Sequence, residues 1–426
     1  MNKHSARASL GMLALLCSAS VFSQPASSQS MSSQSMPSQP ANSLSLKQAL
    51  QLTLQYNPQL KAYPYYVRQL EGEYKQADIS PAPRAELELS SNEATLTLSQ
   101  SFELGEKRKA RVGFTHAKQQ QLQTEFEISK LDILAETSRR YYQLLALVKQ
   151  KNLLTIRIGQ ENRALKIIKK RAEAGAVTEA DVATMTLGLA RSNNSLEQLE
   201  FSIQLQKTTL STMWLEQDKK GFKNLKGNLS ILPQLPSDET LTRVIEEGIN
   251  QLPDYRYQVA LSRLEDSRVS LTQSNGSANI NLGLGLRHND TRDDQSLVLT
   301  ASMPLNFSNP NRGRIASTQA LQALSYEQVE LTRQQLSIEL TRIRTQLRKE
   351  LQQAKRINDE LLPLASELLS ATQKAYRQGQ YSVLQWIDAQ NQVFNLEQDL
   401  INSQVRIFNQ VLELERILGQ SIISAK

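Results

Sequence analysis

Apolar residues in the second half of the chain recur at steps of three and four: Leu336, Leu340, Ile343, Leu347, Leu351, Ala354, Ile357, Leu361, Leu364, Leu368, Ala371 and Ala375. That spacing keeps them on one face of an α-helix and predicts a loop-free helical segment from Arg312 to Gly379. A counterpart runs from Arg108 to Gly175, both of its ends displaced by the same 204 positions. Each segment opens on a basic cluster, closes on glycine and would reach roughly 100 Å if helical throughout. Two copies of one length indicate that helix length is itself a functional quantity.

Around each long segment the pattern changes in the same order. Ser45 caps a helix to about Ile79, interrupted at Pro58 and Pro64 and ended by Pro81-Ala82-Pro83. Alternation in Glu86-Leu87-Glu88-Leu89 and Thr95-Leu96-Thr97-Leu98-Ser99 predicts a β-hairpin over Ala85–Phe102. The first long helix then turns through Gly175-Ala176-Val177-Thr178, and Thr178 caps a returning helix to about Trp214. After a linker over 216–238 the order repeats. A helix over 239–272 breaks at Pro253, strands occupy Asn279–Arg287 and Leu297–Phe307 around the turn His288–Gln295, and the second long helix follows. It turns through Gly379-Gln380-Tyr381-Ser382 into a last helix ending near Leu418.

Pro58 to Arg108 spans 50 residues and Pro253 to Arg312 spans 59, so the extra residues fall in the hairpin while the helices keep register. Gly159 and Pro363 are again 204 apart, and both disrupt helices, so a kink or local unwinding is expected at that level in each long helix. The last helix carries two adjacent seven-residue stripes, Trp386-Val393-Leu400-Ile407-Leu414 and Ile387-Phe394-Ile401-Phe408. Two seams predict a helix packed between neighbours on both sides.

Composition sharpens this picture. The 426 residues are 39% hydrophobic and 5% aromatic, low for a packed enzyme and usual for helical coils. A net charge of +7 would permit contact with nucleic acid or anionic lipid, but the basic residues interleave with Glu and Gln as on a solvated face. Lys3 and Arg7, the apolar Leu10–Cys17 and the site Val21-Phe22-Ser23 form an export signal over 1–23; 24–43 is a Ser/Gln/Pro leader too polar to fold. The only cysteine, Cys17, lies in the signal behind Leu16, where a lipidation site wants a small residue, so the mature chain is expected to have no thiol. No later run is apolar enough for a membrane helix, which leaves a β-barrel as the one way into an outer membrane.

The order of export signal, helix, hairpin, long helix, glycine turn and returning helix, given twice, resembles the TolC family of outer-membrane efflux proteins over residues 44–420. The most specific stretches are Arg171-Ala172-Glu173-Ala174-Gly175-Ala176-Val177-Thr178, Tyr376-Arg377-Gln378-Gly379-Gln380-Tyr381-Ser382, Trp386-Ile387-Asp388-Ala389-Gln390 and Leu414-Glu415-Arg416-Ile417-Leu418-Gly419. The compact hairpins and the Leu104-Gly105-Glu106-Lys107-Arg108 entry look most like the heavy-metal efflux branch. The resemblance implies a mainly α fold with a small β part, in two outer-membrane-factor repeats over 44–215 and 239–420. Long antiparallel helical hairpins would form a trimeric α-barrel in the periplasm. Two β-hairpins per chain would form a 12-stranded outer-membrane barrel in the homotrimer. It further implies a passive exit channel serving a periplasmic adaptor (a membrane fusion protein) and an inner-membrane pump of the RND type.

Site residues carry over by position. Gly175, Ala176, Val177, Thr178 and Gly379, Gln380, Tyr381, Ser382 match the adaptor-docking tips. Asp388 matches one carboxylate of the periplasmic gate, and Gln385 stands where a second is often found; the bland reading of Asp388 is a first-turn carboxylate favoured by the helix dipole. Lys107, Arg108, Arg312 and Arg314 mark the membrane boundary, where they either meet phosphates of outer-membrane lipid or are solvated and paired with Glu103 or Glu106. No catalytic constellation, phosphate loop, dinucleotide fingerprint or metal-ligand spacing occurs, so no enzyme, cofactor, metal-site or nucleic-acid role is expected. The first hairpin offers only six or seven residues on its leading side, short for a membrane strand. The competing class is a soluble periplasmic coiled-coil adaptor or secretion scaffold, which has little use for the long strands of the Asn279–Phe307 hairpin.

Overall fold

The computed structural model describes residues 43–215, 222, 224–232, 237–305 and 311–420. The export signal with Cys17, the leader up to residue 42, Gly221, Pro233, Pro236 and Phe307 lie outside the described residues. Ser45 opens the helical part as the sequence requires. It caps α1 (Leu46–Tyr56) in a capping box with Gln48. Asn57 then ends α1 and caps α2 (Pro58–Ala77), its Oδ1 accepting from the amides of Gln59 and Leu60. Pro58 stands at the first position of α2, where a missing N–H costs nothing. Pro64 was expected to interrupt the helix and does not: α2 runs through it, at the cost of one hydrogen bond on an exposed face.

The strands form one four-stranded antiparallel sheet in the order β2-β3-β5-β6: β2 (Arg84–Leu89), β3 (Glu93–Glu103), β5 (Asn279–Asn289) and β6 (Asp294–Ser302). β2 is short because Pro81 and Pro83 just before it have no N–H for the ladder. β6 begins three residues earlier than the alternation indicates and stops at Ser302, because Asp294, Gln295 and Ser296 join the ladder opposite Asn289, His288 and Arg287.

The register divides the sheet into two faces. Leu87, Leu96, Leu286 and Leu297 make one apolar row; Ala85, Leu98, Leu284 and Leu299 make the next. The opposite face holds Glu, Asp, Arg, Thr, Ser, Asn and glycine, together with Val298. Nine leucines on the apolar face are 47–76% exposed, and no element among the described residues covers them. At roughly 1 kcal/mol for each remaining exposed leucine, leaving this face in water costs on the order of 10 kcal/mol, comparable with the stability of an ordinary domain. Something apolar must cover it.

From the sheet, α3 (Lys107–Glu173) runs 67 residues without a break and α4 (Glu179–Ser211) returns alongside. In the second half, α5 (Asp238–Glu247) and α6 (Pro253–Ser274) precede the β5–β6 hairpin. α7 (Arg312–Arg356) then passes through a five-residue π-helical turn, Ile357–Leu361, into α8 (Leu362–Arg377), and α9 (Val383–Leu418) returns. The local unwinding expected near Pro363 is this turn: the Leu362 amide reaches back five residues to the Ile357 carbonyl, just ahead of the residue that has no N–H. At Gly159 there is no matching unwinding, and α3 stays α-helical through it. Glycine keeps its N–H and clashes with nothing, so it lowers helix propensity by about 1 kcal/mol without breaking a helix packed on both sides.

α3 is the axis of the packing. Near the sheet it lies between α2 and α6, and α6 in turn packs on α7; towards the turns it lies between α4 and α9, and α9 packs on α7 and α8. The double seam of α9 is met on one side by α3, where Phe408 stacks on Tyr142, and on the other by Leu347 and Ala354 against Ile407 and Val411. The largest apolar cluster lies where α1, α3, α9 and the end of α4 meet, around Tyr141, Leu144, Leu210 and Leu229. There β1 (Ser43–Ser45) and β4 (Asn224–Lys226) form a two-stranded parallel sheet that the alternation rules do not detect, taking Ser43 from the leader and splitting the linker. Tyr141 fastens it, with its hydroxyl between the carbonyls of Lys226 and Leu44, 3.1 Å from the latter.

Candidate functional site

At the end of α3 the chain must reverse within the five residues 174–178. The Ala176 amide donates to the Arg171 carbonyl (2.8 Å) and the Gly175 amide to that of Ala172 (2.9 Å), the paired bonds of a Schellman cap. The residue between must be left-handed, and Gly175 has φ +71°. Thr178 then starts α4 in a capping box with Asp181. The second turn repeats this geometry: Gln380 donates to Ala375 (3.0 Å), Gly379 donates to Tyr376 (3.1 Å) with φ +75°, and Ser382 caps α9 in a box with Gln385. Both tips have the same backbone construction, and Ala176, Thr178, Gln380, Tyr381 and Ser382 are exposed on it.

The structure brings the two tips together. Arg171 reaches across from α3 and donates to the carbonyls of Tyr376 and Arg377, each at 3.1 Å, and its guanidinium lies 4.7 Å from the Tyr376 ring centroid. Tyr376 stacks on Trp386 at 5.1 Å, and both pack with Ala164, Leu165, Ile168, Met185 and Val383. Arg171 thereby satisfies carbonyls at the C-terminal end of α8 and ties the two hairpins. Sequence reasoning assigned it no role, since its partners lie more than 200 positions away.

Asp388 is exposed on α9, two turns from the tip, and accepts a hydrogen bond from Gln392 at 2.8 Å. Gln385 is exposed one turn earlier, and its side-chain oxygen accepts from the Ser382 amide at 2.9 Å. One turn beyond Asp388, Asn391 accepts from Arg157, which also pairs with buried Glu161 and covers the Phe394 ring at 4.4 Å. α9 is thus held to α3 directly above the carboxylate.

At the sheet end the basic residues divide. Lys107 donates to Asn279 at 2.6 Å, Arg108 pairs with Asp78 at 2.9 Å and Lys109 with Glu106 at 3.1 Å. The Arg108 hydrogen bond holds the Asp78 carboxyl below the usual range. Arg111 does most: it forks onto both oxygens of Glu103 and also donates to the carbonyls of Ala77 and Ile79. It therefore closes the end of α2 and the end of β3 with one side chain. Arg312 and Arg314 are exposed, with no ion pair among the described residues.

Among the described residues no three His, Cys, Asp or Glu side chains gather as a metal site, and no helix is long and apolar enough to cross a membrane. Strands cross a membrane by a different route, closing into a barrel. Comparison with known proteins agrees with the architecture. The family model described as outer membrane efflux protein matches residues 49–214. The cobalt-zinc-cadmium resistance protein CzcC of Cupriavidus metallidurans is 23% identical over 389 residues, 89% of this chain and 91% of its own. Of solved structures, the outer membrane protein VceC of Vibrio cholerae superposes with a TM-score of 0.70 at 18% identity, over 88% of this chain and 96% of that one. A structure of CusC, whose description refers to transmembrane channel formation, gives 0.74 at 13% identity, over 88% and 92%.

Proposed function

We propose, from the premise that this chain is an outer membrane efflux protein of the TolC family, that three copies of it form a passive exit duct for a tripartite metal-efflux system. The observation that carries this reading is the four-stranded sheet, with one bare leucine face and two free edges, β2 and β6. A membrane accounts for the face, and closure of three sheets into a 12-stranded barrel accounts for the edges. The helices repeat the logic, ending on one side at α4 and on the other at α7 and α8. Those outer helices expose Phe201 and Leu205 on α4, and Ile338 and Leu364 on α7 and α8. A head-to-tail ring buries each such edge against the next copy. A soluble coiled-coil adaptor has no use for the leucine face.

In this reading the duct performs no reaction and an RND-type pump supplies the energy. The braced tips at Gly175–Thr178 and Gly379–Ser382 receive a periplasmic adaptor. Three Asp388 side chains ring the periplasmic opening and favour cations, with Gln385 contributing a neutral ring below them. Arg312 and Arg314 meet lipid phosphates at the inner membrane surface. Metal cations are the cargo that the name of CzcC supports. Deleting the gene should sensitise cells to cobalt, zinc or cadmium, and the intact gene should restore growth where Asp388→Asn restores less. Unchanged sensitivity to all three metals would remove the metal reading, and unchanged sensitivity to organic toxicants as well would remove efflux.

A further inference from the structure

We infer that the bare side of α3, between the waist and the tips, seats an acidic helix of a periplasmic partner along Ile156, Arg163, Ile167 and Lys170; this rests on the reading of three copies as one duct. With Gln160 these residues follow one another at steps of four and three, the spacing of a coiled-coil seam. α3 packs on its neighbours through Leu154, Glu161, Ala164, Leu165 and Ile168, all buried, and the seam lies on the opposite side of the helix. Ile156 is 60% exposed and Ile167 46%, and Gln160, Arg163 and Lys170 are exposed beside them. From Ile156 to Lys170 the seam runs about 21 Å.

Ring closure does not cover this side. Towards the turns α3 has α4 on one flank and α9 on the other, so the next copy meets α4 or α8 and never α3. The seam also faces away from the lumen. Lys149 stands seven residues before Ile156, on the same side of the helix, and donates to Ser230 at 3.0 Å. Gly227 passes so close to Leu145 that an added Cβ would stand 3.1 Å from its Cδ2. The waist segment around β4 therefore lies over the sheetward part of the same stripe. An open duct has no room for that layer inside. Twelve helices about 10 Å apart close on a radius of roughly 19 Å, which side chains narrow to about 14 Å. Three layers about 10 Å thick would block it. The waist and the bare seam beside it are thus on the periplasmic outside.

The charges give the chemistry of the occupant. Residues 162–172 of α3 include Arg163, Lys166, Lys169, Lys170 and Arg171 and no acid. Arg171 is turned to α8, and no ion pair among the described residues takes up the other four. Glu161, just before them, pairs with Arg157. Residues 182–196 of α4 hold no acid, and residues 383–396 of α9 hold only Asp388. Setting Glu173 and Asp388 against the four still leaves a positive face. Isoleucine alternating with arginine and lysine is complementary to a helix that carries an apolar seam with carboxylates beside it. A flexible acidic chain would meet the basic residues and leave the isoleucines bare, so the seam selects a helix. This lateral contact is separate from the two tips.

The test is binding of fluorescein-labelled synthetic peptides, about four heptads long, to purified full-length trimers in detergent, read by anisotropy at low and high salt. One peptide is a helix with leucine at three-four steps and glutamate beside them. The second has lysine in place of glutamate, and the third is a scrambled form of the first. The acidic helix should bind, and at least tenfold less tightly in high salt; the other two should bind at least tenfold more weakly than it does. Arg163→Glu with Lys170→Glu should reverse the preference in favour of the lysine helix, and Ile167→Asp should weaken the acidic helix without reversing it. Migration that changes on heating confirms that each variant is folded. Equal binding of the scrambled peptide, or a folded double variant with unchanged preference, overturns the seam while leaving the duct. A folded wild type that is monomeric both in detergent and in the outer membrane overturns the duct and the seam together.

Discussion

Tyr141 joins the waist of the molecule to its N-terminal strand, and its environment makes that joint sensitive to alkali. Burial pushes its phenol up to about 12 from an ordinary 10, and Tyr142 beside it is raised for the same reason. In the unfolded chain the phenol ionises near 10, so its contribution is complete below pH 10 and declines as pH rises towards the folded value. Between pH 9.5 and 11.5 the protein should lose roughly 1.5–2 kcal/mol at this site. Melting temperatures across that range should fall, and Tyr141→Phe should start lower at pH 8 but fall less; an equal fall would exclude Tyr141 as the cause. Arg171 makes a second residue-scale case. Arg171→Ala removes two charge-assisted bonds to α8 and should speed amide exchange around Gly379 and Gln380 about tenfold, corresponding to about 1.4 kcal/mol. Arg171→Lys, with no fork to span two carbonyls, should recover only part of the protection. Neither role was legible in the sequence: Lys226 and Tyr376 are brought to these side chains by packing. Asp388 was legible only as a position within a resembling motif.

The elements were legible to a much greater extent, for physical reasons. A long helix needs a sustained three-four pattern and a turn needs residues for special dihedral angles, and both leave marks in the residues themselves. α3 ends where Gly175 demanded and α9 begins on Ser382. What failed was the assumption that glycine and proline disrupt alike. Pro363 displaced the backbone into a π-turn, while α3 stays α-helical through Gly159. The pairing of β1 with β4 was invisible because three residues carry no readable alternation. The sheet was visible because every second residue is leucine or alanine over several positions, and its two faces yield a direct expectation. Leu284→Arg, in the middle of the apolar face, should cost about 2–4 kcal/mol of barrel stability. Thr97→Arg, on the other face, should cost much less. Heat-dependent migration and urea midpoints of the two variants would show this, and equal penalties would mean that the leucine face does not meet lipid.

At the scale of the whole molecule, the strands and helices of the described residues leave both layers open at their edges. The strand layer and the helix layer each begin with elements of the first half and end with elements of the second. Their outer edges are complementary in kind but cannot meet within one chain, because β3 and β5 stand between β2 and β6. The sequence carried the repeat that produces this arrangement, through the 204-residue offset, but not the closure proposed for it, which would depend on a second copy. Cys17 being the only cysteine makes closure directly measurable. With Cys17→Ser, a cysteine at Leu87 on β2 combined with one at Leu297, Leu299 or Ala301 on β6 places the thiols on opposite edges of a single chain. Oxidation in intact outer membranes should then give covalently linked dimers and trimers and nothing larger, for at least one of the three pairs. Chains that remain monomeric in all three pairs, or a ladder continuing past three, would contradict the trimeric barrel.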